Sequence, residues 1–296
     1  MSIYYRLSDT TDPEERLEDA ALMKALKDEL GAHLVVLDAK NTNEHLKELG
    51  IGAEDVILGR HQRWQGMHPG RHLAPPFLAY WDDPAFLAAA GRTVLACTFD
   101  QAQSEVARLH AEGKDAFIKS TTTKEFTSLV KRGSTIHDVA DALVYSWLDH
   151  DRPVLLVQEA VEMRYEHRFA VMGRQVVSHS PVMIPLTPLD AAWTTGMAAF
   201  SPTSTKLEHR PDIVAKLKEH ARQLAQSLEV ESCIIDCCMI GDEPAAIELN
   251  ALSVGQFGLY GMNVRELAQG VVAILLPAAG IQLRQDQDDE ELAPDL

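Results

Sequence analysis

No apolar run in this 296-residue chain approaches the roughly 20 residues that span a bilayer. Lys24 and Lys27, set among acidic neighbours, interrupt any signal-peptide core near the start, so a cytoplasmic location is expected. Basic residues are few, 27 Lys and Arg against 44 Asp and Glu, for a formal net charge of −17. That balance argues against non-specific binding to nucleic acid or to an anionic membrane. Part of the charge lies in residues Asp286 to Asp295, a stretch read as a disordered acidic tail. Cysteine is scarce too: four residues make no disulfide framework in a chain of this size. Cys233, Cys237 and Cys238 fall in one apolar stretch, where a thiol acts as a small hydrophobe and no zinc spacing is offered. A Gly-x-Gly-x-x-Gly after the first predicted strand is also missing, which leaves dinucleotide binding there unsupported.

What is present has the make-up of an ordinary globular chain, 46% hydrophobic and 24% charged, long enough for two or three packed subdomains. The first section alternates strand and helix. Strands are predicted at Ile3 to Leu7, His33 to Leu37 and Val56 to Leu58, with helices at Pro13 to Leu30 and Thr42 to Leu49. Such a repeat with short links implies an α/β unit with a small parallel, Rossmann-like sheet. Further on, helices are predicted at Pro84 to Gly91, Asp100 to Glu112, His137 to Leu148, Pro211 to Leu228 and Asn263 to Leu276. Leu186 to Lys206 is threonine-rich and aperiodic, the pattern of a long loop.

Three stretches carry candidate chemistry. Arg60 to His72, RHQRWQGMHPGRH, holds Arg60, Arg63 and Arg71 and no acid. It reads as a solvated surface loop or as a receiver of an anionic substrate, since guanidinium forks match carboxylates and phosphates. In Ala116 to Leu129, AFIKSTTTKEFTSL, a short apolar strand delivers Lys119 and a hydroxyl-rich run leads to Lys124. Hydroxyls and ammonium groups on flexible backbone can wrap a polyphosphate, although a lysine at a strand end is more often simply exposed. Downstream, a buried strand Val154 to Glu159 precedes a hairpin of Arg168 to Met172 and Gln175 to Val182, turning at Gly173. There Glu166 and Arg168 also read as an outward-facing ion pair of little energetic worth.

Cys233 to Tyr260 is the stretch around which the others are organised. Two apolar runs, Cys233 to Ile240 and Ala245 to Asn250, flank Gly-Asp-Glu-Pro, the pattern of a β-hairpin. With a loop of Gly241 to Glu243, Asp236 is expected opposite Glu248, and Asn250 shares their face. Carboxylates in an apolar hairpin need a partner or a cation, and two carboxylates with an amide oxygen suit Mg²⁺. A hairpin with one wet face accounts for the same residues.

Taken in order, these stretches resemble the ATP-grasp superfamily over roughly Trp81 to Pro277. The shared features are a strand ending in Lys119, a strand running into a hinge, a glutamate seven residues on, and a hairpin ending Glu-x-Asn. The resemblance implies an α+β ATP-grasp fold behind a Rossmann-like pre-ATP-grasp domain. The domains would be 1–80 (pre-ATP-grasp), 81–157 and 158–284 (the two ATP-grasp subdomains) and 285–296 (the tail). It also implies ATP and Mg²⁺ as ligands. Lys119 would contact the α- and β-phosphates, Glu159, Ala160 and Val161 would form the adenine hinge, and Glu166 would take the ribose hydroxyls. Asp236, Glu248 and Asn250 would hold the metal. Members usually follow the phosphate lysine with proline and a glycine-rich lid, where this chain has Ser120 and Thr-Thr-Thr-Lys-Glu-Phe-Thr. That form is similar to a clade named for one Arg and two Lys, here Arg168, Lys119 and Lys124, of which Lys124 and Arg168 would be the catalytic charges.

The family's usual activity implies a carboxylate–amine ligase that forms an acyl phosphate from ATP and releases ADP and phosphate. Its substrates would be a small-molecule or peptide carboxylate and an amine, with Arg60, Arg63 and Arg71 as candidate acceptor contacts. An ATP-grasp kinase acting on a hydroxyl shares the same ATP site, and a non-catalytic ATP-binding module would need none of the metal ligands. A homodimer is the default assembly.

Overall fold

The structure, a computed structural model, describes residues 2–7, 13–38, 43–59, 71, 73, 78–121, 127–139, 155–180, 210–252, 259 and 261–283. Alternating β and α segments near the start give a three-stranded parallel sheet in the order β2-β1-β3, from Ile3–Arg6 (β1), Leu34–Leu37 (β2) and Val56–Gly59 (β3). Its links carry helices Pro13–Leu30 (α1) and Asn43–Glu48 (α2), as parallel strands require a crossover. Tyr5 ties α1 to the sheet, its hydroxyl donating to Asp19 Oδ1 at 2.6 Å.

A second, antiparallel sheet has the order β4-β7-β5-β6, from Val94–Cys97 (β4), Ala116–Ser120 (β5), Thr127–Val130 (β6) and Leu155–Glu159 (β7). Asp83 caps helix Pro84–Ala89 (α3) by accepting from the Ala85 and Phe86 amides. A Thr98–Gln101 capping box starts Phe99–Ala111 (α4). Alternation sorts the strands: Ala116, Ile118, Leu155 and Val157 pack with α4 residues Ala102, Val106 and Leu109, so Lys119 and Gln158 fall on the opposite face. Strand β6 was not expected from the sequence. It is a short edge strand in which only Val130 is buried, so it shows no apolar alternation to detect.

The third sheet, also antiparallel, runs β11-β10-β8-β9, from Arg164–Met172 (β8), Gln175–His179 (β9), Cys233–Ile240 (β10) and Glu243–Ala251 (β11). One face packs on the amphipathic helix Pro211–Ser227 (α5), through Phe169, Ile235, Cys237, Leu217, Ala221 and Leu224 among others. The other face meets the first sheet and the last helix, joining Ala170, Met172 and Ile234 to Ile3, Tyr5, Leu267 and Val271. That last helix, Val264–Gly270 (α6), widens into a π-helical turn at Val271–Leu275 and closes with Leu276–Ala278 (α7).

The expected helix at His137 to Leu148 is met by a 3-10 turn at Ile136–Val139, and its remainder lies outside the described residues. The same holds for the loop Leu186 to Lys206 and the tail 285–296. Among the described residues no helix is long and apolar enough to cross a membrane. All four cysteines are free and buried, as their apolar run implied for Cys233, Cys237 and Cys238.

Candidate functional site

The hairpin β10–β11 turns through Gly241 and Asp242 alone, since Ile240 pairs with Glu243. Gly241 sits at φ 60°, the conformation a two-residue hairpin with glycine first requires. The expected loop of Gly241 to Glu243 is therefore one residue too long. Asp236 nevertheless stands opposite Glu248, because a β-bulge between Asp236 and Cys237 leaves Ile247 without a cross-strand partner and restores the register. A bulge sets two residues against one, and here it changes which residues of β11 face the site. Ala245 and Ile247 pack beside Cys238, while past the bulge Glu248 and Asn250 lie alongside Asp236. An apolar residue and a carboxylate thus face the same way in succession, which regular alternation forbids.

Charged residues from four strands converge there. Lys119 Nζ of β5 donates to Glu248 Oε2 at 2.5 Å, and Arg168 of β8 forks onto Asp236, with Nε and Nη2 each 2.7 Å from a carboxylate oxygen. The Asp236 side chain is 1% exposed, so a bidentate partner compensates the desolvated charge. Asn250 Nδ2 bridges the carboxylates, 3.0 Å from Asp236 and 3.2 Å from Glu248. Half a turn of that amide presents its oxygen instead. Burial alone would raise the Glu248 pKa, but Lys119, Asn250 and Arg168 outweigh it and hold the group low. Burial opposes the Lys119 ammonium, and Glu248 reverses that, so its pKa is raised.

Two residues not singled out from the sequence belong to this cluster. Tyr80 lies with its ring centroid 5.6 Å from Lys119 Nζ, a cation–π distance, and burial raises its phenol pKa although Lys119 pulls it down. Arg92 reaches into the hairpin from the loop before β4. Neither carries a motif, and a Tyr or an Arg beside helix α3 looks like any other.

Of the remaining candidates, Glu159 ends β7, where its carboxylate accepts from Lys114 at 3.1 Å. The Ala160 amide is hydrogen-bonded to Asp115 O at 2.9 Å. Val161 follows and packs with Met163, Cys238, Ile240, Ala245 and Ile247 in a small apolar cluster beside the carboxylates. Glu166 is half-buried on β8 and near enough to Cys238 to act on it electrostatically. Arg168 does not extend outward with Glu166 as an ion pair; its guanidinium turns to Asp236 because that carboxylate is the buried one. Arg71 is exposed, its amide bonded to Asp55 O at 2.7 Å beside β3. Arg60, Arg63 and Lys124 lie outside the described residues.

The described residues gather no group of three or more His, Cys, Asp or Glu able to hold a metal. The candidate donor set is therefore two carboxylates and one amide. Such a hard, incomplete oxygen set fits Mg²⁺, which keeps waters and shares its sphere with substrate phosphates.

No protein-family model matches this sequence, and no curated protein matches it significantly. Among solved structures, the chain is similar to D-alanine–D-alanine ligase from Bacillus anthracis complexed with ATP. Identity is 14% and TM-score 0.54, over 95% of this chain and 99% of that one. It is similar to D-cycloserine synthetase DcsG at 14% identity and TM-score 0.52, over 92% of this chain and 98% of the other. A third likeness is to ATP-grasp ligase PsnB complexed with a phosphomimetic variant of its minimal precursor, Mg and ADP, at 15% identity and TM-score 0.50, covering 92% and 98%. At these identities what is shared is the fold.

Proposed function

The chain has an ATP-grasp fold, and on that premise we propose that it is an ATP- and Mg²⁺-dependent carboxylate–amine ligase releasing ADP and phosphate. The observation that carries this reading is the convergence of Lys119, Glu248, Asp236, Arg168 and Asn250 from separate strands into one half-buried cluster. Five charged or amide groups gathered from β5, β8, β10 and β11 are costly to desolvate, and a phosphate-and-metal ligand gives them a purpose.

In this reading residues 1–80 form the Rossmann-like pre-ATP-grasp domain, 81–157 and 158–284 the two ATP-grasp subdomains, and 285–296 the tail. Adenine would rest against Val161, Met163 and Ile247, an apolar floor beside the Glu159–Val161 hinge. Glu166 would accept from the ribose hydroxyls. Lys119 would bind the α- and β-phosphates, while Lys124 and Arg168 would neutralise the transferring phosphoryl group. Phosphoryl transfer needs positioning and charge compensation more than a protein nucleophile. Asp236, Glu248 and Asn250 would hold Mg²⁺, which when bound neutralises phosphate charge. Arg60, Arg63 and Arg71 would receive the substrate carboxylate, on a small molecule or a peptide. The PsnB complex holds a variant of its minimal precursor, which makes a precursor substrate a concrete option to assay.

The test is thermal unfolding with and without Mg-ATP, on wild type and Glu248→Gln. Ligand at about a hundred times its Kd adds roughly 2.7 kcal/mol. A stabilisation that needs magnesium and vanishes in the variant is expected; its absence at millimolar nucleotide would refute the reading. Release of phosphate rather than a phosphorylated acceptor then separates ligase from kinase.

A further inference from the structure

Arg92, at the margin of the charged cluster, is half-buried, and its guanidinium is fully engaged. Nε and Nη2 both donate to Gln158 Oε1, at 3.0 and 2.8 Å. Nη1 donates to Ala90 O at 2.9 Å and Ala246 O at 2.8 Å, and Nη2 also donates to Ile247 O at 2.8 Å. These contacts match the full donor capacity of a guanidinium, which is five N–H groups. Among the described residues none goes to a carboxylate, and the group takes part in no ion pair. Taking a guanidinium out of water is costly, and here hydrogen bonds to neutral oxygens are what compensate it.

What it holds is the irregular point of the hairpin. Ala246 and Ile247 are the two residues immediately before Glu248, and the register shift that sets Asp236 opposite Glu248 falls there. A bulge breaks the ladder locally and frees backbone groups that need other partners. Arg92 supplies them for two consecutive carbonyls. Its other arm grips Gln158, the residue before Glu159 at the end of β7. The loop carrying it is pressed against the hairpin: a Cβ on Gly91 would lie 3.1 Å from Ala245 Cβ. Gly91 also has φ +62°, so glycine answers both demands at once.

We propose that Arg92 is a positioning residue for the metal hairpin: it clamps the β11 bulge and so fixes where Glu248 is aimed relative to Asp236. The role rests on the reading of Asp236, Glu248 and Asn250 as metal ligands. Arg92 touches none of them and acts through the backbone that carries Glu248. Lysine cannot replace it, since one ammonium cannot reach Gln158 and two successive carbonyls in a planar fork.

The experiment measures Mn²⁺ binding by electron paramagnetic resonance in the presence of ADP, and ADP binding by calorimetry in EDTA, for wild type, Arg92→Met and Arg92→Lys. Residues supporting metal ligands typically govern 10- to 100-fold in metal affinity. Mn²⁺ affinity is expected to fall by about that factor in Arg92→Met and nearly as far in Arg92→Lys, with metal-free ADP affinity changed less than about twofold. Arg92→Lys keeps a cation in place and serves if Arg92→Met does not fold. Unchanged Mn²⁺ affinity in either variant, or equal losses for Mn²⁺ and metal-free ADP, would overturn the proposal. A wild type that binds ADP but gathers no Mn²⁺ would instead refute the metal-site reading, and this role with it.

Discussion

Lys119 Nζ lies 2.5 Å from Glu248 Oε2, an ion pair that spans 129 residues and joins an inner strand of one sheet to the hairpin of another. Both side chains are largely buried, at 15% and 24% exposure. Lys119→Met leaves Glu248 without its strongest partner. The expected outcome is loss of the stabilisation by Mg-ATP together with a drop of about 1–3 kcal/mol in the ligand-free protein, read from urea unfolding.

Arg168 and Asp236 form the second pair, more deeply buried and bidentate. Removing one partner strands a charge, and Arg168→Met is expected to cost about 3–5 kcal/mol. Arg168→Met with Asp236→Leu should recover much of that loss while abolishing the response to magnesium. A double-mutant cycle in urea checks the first point, and thermal unfolding with Mg-ATP checks the second.

Acid sensitivity should come partly from His167. It is buried on β8 beside His179 at 3.3 Å, and its Nδ1 has no hydrogen-bond partner among the described residues. Burial, with His179 adding to it, lowers its pKa from 6.5 to about 4. The unfolded chain takes up this proton below pH about 6.5, whereas the folded protein resists until about 4. Stability is therefore unaffected above pH about 6.5 and falls by roughly 3 kcal/mol between the two values. Replacing His167 by Gln should flatten that part of the stability curve. His220, also lowered by burial, should leave a smaller residual slope.

Gly91→Ala tests the close approach of its loop to the hairpin. A left-handed backbone costs a non-glycine residue about 1–2 kcal/mol, and the new methyl crowds Ala245 and Ile240. A lower urea midpoint with an unchanged slope is expected.

Several features are legible in the sequence alone. The apolar runs Cys233 to Ile240 and Ala245 to Asn250 predicted the hairpin, and strand alternation the shared face of Asp236, Glu248 and Asn250. Local chemistry carried those signals: short apolar runs, side-chain alternation and a Gly-Asp-Glu-Pro turn. Strand β6 was not legible, because an edge strand with one buried residue lacks a period.

The sequence by itself determined the alternating first section, the Cys233–Ala251 hairpin and the ordering of Lys119, Glu166, Arg168, Asp236, Glu248 and Asn250, since propensity and side-chain alternation act over a few neighbouring residues. Tertiary structure alone decided the partners. The Lys119–Glu248 pair, the turn of Arg168 toward Asp236 and the grip of Arg92 on Ala246 and Ile247 join residues 68 to 155 positions apart. Burial made those pairings obligatory, because a charge or carbonyl removed from water must find a partner wherever the fold brings one, and no local pattern records where that is.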